Sequence, residues 1–84
     1  MIAPVVHLNG TSKEALLDGY VEAGRAVQKA LDALAERAFP NPRDYYVIGP
    51  DAWSKARDEH NERVRLLVKV QLELEQLAEK IADQ

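Results

Sequence analysis

The chain has 84 residues, 46% of them hydrophobic and 30% charged, and a net charge of −3 from 11 Lys and Arg against 14 Asp and Glu. That bounds it to one domain and excludes a disordered chain. Without cysteine there is no disulfide framework and no thiolate metal site, and the interspersed charges lack the basic stripe of a nucleic-acid binder.

No apolar run approaches membrane-spanning length, and Met1-Ile2-Ala3-Pro4 lacks the basic start and long apolar core of a signal peptide. The reading is a soluble cytosolic chain. A small anionic ligand stays open, because it needs only a few well-placed arginines.

Pro4-Val5-Val6-His7-Leu8 reads as an extended arm, since proline discourages a helix start and paired valines favour extended backbone. Asn9-Gly10 signals a turn. Thr11-Ser12-Lys13-Glu14 matches a capping box, with Thr11 accepting an amide and Glu14 reaching back. The first helix is predicted from about Ser12 to Ala38. Leu16, Tyr20, Ala23, Val27, Leu31 and Leu34 recur there at helical steps, opposite Asp18, Glu22, Arg25, Lys29, Asp32 and Glu36. Gly24 costs about 1 kcal/mol of helix propensity relative to alanine and marks a point of close approach by a partner helix.

Phe39-Pro40 ends this helix. Asn41-Pro42-Arg43-Asp44 carries turn chemistry, and Tyr45-Tyr46-Val47-Ile48 reads as a short strand or an extended connection. Pro50 suits a first helical position and Asp51 the positive end of the dipole, so the second helix is predicted from about Pro50 to Ala82. Its main apolar stripe is read as Leu66, Leu67, Val70, Leu74, Leu77 and Ile81, with a second of Val64, Val68 and Leu72. Together they cover roughly 240° of the circumference, more than one partner helix can bury. The expectation is an all-α antiparallel helical hairpin: arm 1–10, helix 12–38, loop 39–49, helix 50–82. It assembles into a helix-bundle homo-oligomer through the face of Val64, Val68 and Leu72.

Toward the loop the apolar stripe turns polar. Arg57, His60 and Arg63 lie within two turns, near Trp53 and the loop residues Arg43, Asp44, Tyr45 and Tyr46. Guanidinium forks hold phosphate or carboxylate, aromatic faces stack on planar rings, and Asp44 can accept from a base edge or sugar hydroxyl. Each residue also has a plainer reading. Lys55 with Glu59 and Glu59 with Arg63 are ordinary i,i+4 pairs, and Arg43-Asp44 is a candidate turn ion pair. His60 is a candidate boundary residue, the tyrosines can plug the hairpin's end, and Trp53 can simply pack.

His7 and His60 are the only histidines, and no metal-binding spacing, phosphate-binding loop or nucleophile motif occurs. Neither a metal, a cofactor nor an enzyme is expected. The polar face of the second helix is acidic, which argues against a membrane surface.

Three motifs carry a resemblance: His7-Leu8-Asn9-Gly10-Thr11-Ser12, Asn41-Pro42-Arg43-Asp44-Tyr45-Tyr46, and Glu59-His60 with Arg63. The chain resembles a family of small phage and prophage proteins that start with His-Leu-Asn-Gly-Thr-Ser. They carry Asn-x-Arg-Asp-Tyr-Tyr between two helices and Glu-His-x-x-Arg early in the second. Relatives more often have Gly or Ala at the position of Pro42, and proline at that of Val47. By analogy with other small phage-encoded helical oligomers, the resemblance implies a non-enzymatic anti-defence sponge in the cytoplasm of an infected bacterium. It would sequester a cyclic nucleotide or ADP-ribose derivative between subunits. Arg43, Arg57 and Arg63 would hold phosphate, Tyr45 or Tyr46 would stack on a base, and His7, Asn9, Asp44 and His60 would add polar contacts. The alternative is an interaction module whose second apolar stripe docks a host or virion protein.

Overall fold

The computed structural model describes residues 1–84 as two α-helices and no strand. Helix α1 is Lys13–Glu36, helix α2 is Ala52–Ala82, and one 3₁₀ turn, Pro42–Asp44, lies between them. The helices pack against each other as a hairpin with principal extents of 61 × 21 × 17 Å. Three cross-contacts set its antiparallel register. Lys13 Nζ donates to the Gln84 carbonyl at 2.7 Å, Gln71 Nε2 to Gln28 Oε1 at 2.6 Å, and Phe39 packs on His60.

Several boundaries differ from the sequence reading for local reasons. Ser12, not Thr11, caps α1: its Oγ accepts from the Ala15 amide at 3.1 Å, and its φ/ψ of −61°/151° is that of a cap. The helix ends at Glu36, two residues before the predicted end. The amides of both Arg37 and Ala38 turn back to the Ala33 carbonyl, closing the last turn ahead of Pro40. Helix α2 begins at Ala52, so Pro50 precedes the helix instead of opening it. Asp51 is the N-cap residue but makes no side-chain capping bond. Tyr45–Ile48 is neither strand nor extended link. The Ile48 amide donates to the Tyr45 carbonyl at 2.9 Å, making a turn.

The arm, residues 1–7, has no regular secondary structure, and it is anchored by a side chain and not by a sheet. Gln84 Oε1 accepts from the Val6 amide, and Gln84 Nε2 donates to the Pro4 carbonyl, both at 2.7 Å. One side-chain amide thus stands in for a neighbouring strand. Gln84→Ala removes both bonds. The expected result is at least tenfold faster hydrogen exchange at Val6 with the α1–α2 amides unchanged, as read by exchange mass spectrometry.

The core is thin. Only Pro40, His60 and Ile81 are buried, and Ile81, at 0% exposure, is the one fully buried hydrophobic side chain. The α2 seam against α1 runs through half-buried Val64, Leu67, Gln71, Leu74, Leu77 and Ala78 to Ile81. This re-sorts the two predicted stripes. Val64 joins the internal seam, whereas Leu66 and Val70 are exposed on one flank and Val68 and Leu72 on the other. Gly19 and Gly24 have nothing within 4 Å of an added Cβ. Gly24 is half-buried beside a groove it shares with Gln71 and Leu74 of α2, but a side chain there would meet no atom, so the hairpin's packing does not require glycine at this position.

Candidate functional site

The loop is braced from both sides of its base. Trp53 Nε1 donates to the Pro40 carbonyl at 3.0 Å, tying the first turn of α2 to the exit of α1. Beside it, Phe39 meets His60 edge to face, with centroids 5.1 Å apart at 72°. His60 is 4% exposed. It is packed into the base of the loop, one turn below the side chains the loop presents. Trp53→Phe keeps an aromatic ring but loses the donor and part of the indole's contact area. We expect about 1 kcal/mol of lost stability, read as a lower urea midpoint, and faster exchange at the loop amides.

Inside the loop an Asx turn sets the path. Asn41 Oδ1 accepts from the Arg43 amide at 3.1 Å, and Pro42 supplies the first position of the 3₁₀ turn. The Asp44 amide returns to the Asn41 carbonyl at 3.0 Å, and those of Tyr45 and Tyr46 to Pro42, both at 3.1 Å. The backbone satisfies itself locally, which leaves the side chains free. Arg43, Asp44 and Tyr46 are exposed, with Tyr46 at 72%, and Tyr45 is half-buried. None of these four makes a side-chain hydrogen bond or ion pair within the protomer, so the turn ion pair between Arg43 and Asp44 does not form.

Arg57 lies over the Trp53 ring at 5.1 Å and pairs with Asp58 at 3.2 Å. Arg63 reaches Glu59 at 3.7 Å, an exposed pair of little energetic weight. Farther along, Arg65 forks onto Glu62 through bonds of 2.6 and 2.9 Å. Those hydrogen bonds hold the Glu62 carboxyl below, and the Arg65 guanidinium above, their ordinary ranges. The contribution of this pair is present above the usual carboxylate range and fades as pH falls through the lowered Glu62 value.

One end of the hairpin therefore gathers Arg43, Asp44, Tyr45, Tyr46 and Arg57, with His60 beneath and Arg63 a turn beyond. His7 and Asn9 are at the other end. Lys13 lies beside Gln84 and Phe39 beside His60, so about 40 Å of helix at 1.5 Å per residue separates arm from loop. His7 is exposed and its imidazole folds over Gly10, where an added Cβ would fall 2.7 Å from Nε2. The predicted antiparallel hairpin already implied this separation, because a helix of 12–38 stands between arm and loop. The Gln84 anchor and the Trp53–Pro40 bond were not legible in the sequence, because neither partner choice follows from residue type.

No cluster of three His, Asp or Glu side chains converges in the protomer, and no helix is long and apolar enough to cross a membrane. The cavities are two shallow grooves beside the helix seam, about 290 and 250 Å³, and a polar one of about 300 Å³ on α1; none lies at the loop. Comparison with family models, with curated proteins and with solved structures finds no match. Fold and site together define an α-helical hairpin that presents a fixed, polar and aromatic loop.

Proposed function

We propose that this chain is a non-enzymatic binding protein that sequesters a small nucleotide-derived anion, a cyclic nucleotide or an ADP-ribose derivative, at its inter-helix loop. One observation carries the reading. The loop backbone is fixed by the Asx turn, the 3₁₀ turn and the Trp53–Pro40 bond, while Arg43, Asp44 and Tyr46 project from it without partners. A fixed frame with free polar and aromatic groups loses little entropy on binding. Arg43 and Arg57 supply charge for phosphate, Tyr46 a stacking face, and Asp44 an acceptor for a ribose hydroxyl or base edge. Tyr45 and His60 hold the loop's shape, and Arg63 lies within reach of a longer phosphate chain.

Calorimetric titration with cyclic di- and trinucleotides and with ADP-ribose derivatives tests this. We expect saturable heat that weakens as salt rises, an unchanged ligand after prolonged incubation, and roughly 10–100-fold weaker binding by Arg43→Ala. Absence of heat from every such nucleotide rejects the proposal, and so does indifference to Arg43→Ala.

A second reading has its own observation. Phe39, Tyr46, Val47 and Ile48 are exposed together at the hairpin's tip. Exposed apolar clusters mark protein contacts, so a host or virion protein docking on that tip is the alternative. It predicts that Val47→Asp with Ile48→Asp abolishes partner capture and leaves nucleotide binding unaltered.

A further inference from the structure

The hairpin exposes more surface than a finished protein of its size. Its accessible surface is 6378 Å², whereas a folded monomer of 9.4 kDa exposes about 5,000 Å² by mass scaling. The excess, about 1,400 Å², more than covers the ~800 Å² that each partner gives to a standard interface. A flank of α2 fits that role. Val68 and Leu72 lie about 100° and 140° around the helix from Leu67 in the seam that meets α1, and half-buried Val64 sits at the border between seam and flank. Val68 is 38% and Leu72 51% exposed.

The chemistry of this flank is directional. Seven residues at steps of three and four form one stripe, symmetric in spacing about Val68 at its centre. On the N-terminal side come Val64, Asn61 and Arg57, and on the C-terminal side Leu72, Glu75 and Glu79. Glu75 and Glu79 have no ion-pair partner in the protomer, and Arg57 has only the exposed Asp58. Two such stripes packed in parallel set Arg57 on Arg57 and glutamate on glutamate. Packed antiparallel, they set Val68 on Val68, Val64 on Leu72, Asn61 on Glu75 and Arg57 on Glu79. Every polar residue then faces a complement.

We infer that two copies of this chain pair antiparallel along α2 about a two-fold axis at Val68. The pairing completes the loop site with the partner's arm. The same symmetry that matches Arg57 to Glu79 places Gln84 of one copy level with Ala52 of the other, beside Trp53 and the loop. Gln84 anchors the arm through Pro4 and Val6. His7 and Asn9, which lie far from Arg43 within one chain, are thereby brought to the Arg43 loop of the second copy. The pairing stands apart from the ligand. Only the use of the composite pocket for a nucleotide rests on the function proposed above.

The chain has no cysteine, so engineered pairs report the arrangement cleanly. Asn61→Cys and Glu75→Cys chains, mixed and oxidised, are expected to form the mixed disulfide and almost no like-with-like product. Like-with-like disulfides mean parallel packing and overturn the inference, as does a full-length chain that stays monomeric at high micromolar concentration. Charge exchange gives a second readout, in which rescue by the double variant separates pairing from any local effect of losing Arg57 over Trp53. Arg57→Glu or Glu79→Arg alone should weaken association at least tenfold, and the two together should restore it. Failure of the double variant to restore it contradicts the register.

Mixing Asn9→Ala with Arg43→Ala chains tests the composite site. Random pairing should return about a quarter of the pockets with both residues intact, whereas a site within one subunit returns none. A mixed disulfide on a chain that binds no nucleotide would uphold the pairing and reject the proposed function.

Discussion

Val68→Glu is expected to abolish self-association while leaving the hairpin's helices formed. Within one chain Val68 touches solvent at 38% of its surface, so a carboxylate there is tolerated by the protomer. On the proposed two-fold axis the same change would set two carboxylates against each other in a desolvated seam. Burying unpaired like charges costs on the order of 3–5 kcal/mol, a loss of more than a hundredfold in association. Sedimentation should show a single-chain mass at concentrations where the native protein is assembled. The freed protomer, with one fully buried hydrophobic side chain, should melt broadly and early by circular dichroism. Val70→Glu, on the opposite flank of α2, is the control: its effect should be several-fold smaller if the pairing face is that of Val68.

Ile81→Ala is expected to cost the hairpin about 2–5 kcal/mol. Ile81 is the largest fully buried side chain, and it sits near the end where Gln84 holds the arm. Domains of this size have only about 5–10 kcal/mol to lose, so the variant should lie close to its unfolding threshold. Urea titration should show the lower midpoint. Hydrogen exchange should show the arm and the last turns of α2 losing protection first, because the loop end keeps its Trp53 and Phe39–His60 braces. Leu66→Ala, at a half-exposed position, should cost well under half as much.

The hairpin was legible because its signals are local. Helical steps of leucine and valine, Ser and Thr before α1, and prolines between the helices each act over a few residues. The partition of α2 was not. An apolar arc as wide as the one carried by Val64 to Leu74 contains several windows that a single partner helix can cover. The window used is the one continuous with His60 and Trp53. That choice admits Gln71, whose amide is satisfied only by Gln28 across the seam, and it strands Leu66 and Val70. Residue hydrophobicity alone points the other way.

Tyr45 to Ile48 misled for a related reason. Its aromatic and β-branched residues favour extended backbone, but the Asn41 side chain and Pro42 commit the chain to a turn before that preference acts. The loop part of the site was legible as residue types in one neighbourhood. His7 and Asn9 were assigned to the same site by motif alone, and the antiparallel register of the hairpin puts them at its far end. In the proposed antiparallel pair, a second copy brings them back to the loop.

Native mass spectrometry of the full chain, purified from bacteria that are producing nucleotide defence signals, tests the central claim most directly. Subunit number and retained small molecules are read from one spectrum. We predict an even-numbered assembly that carries the added mass of a nucleotide, with Arg43→Ala yielding the same assembly without the added mass. A single-chain species free of added mass would contradict both the assembly and the binding role.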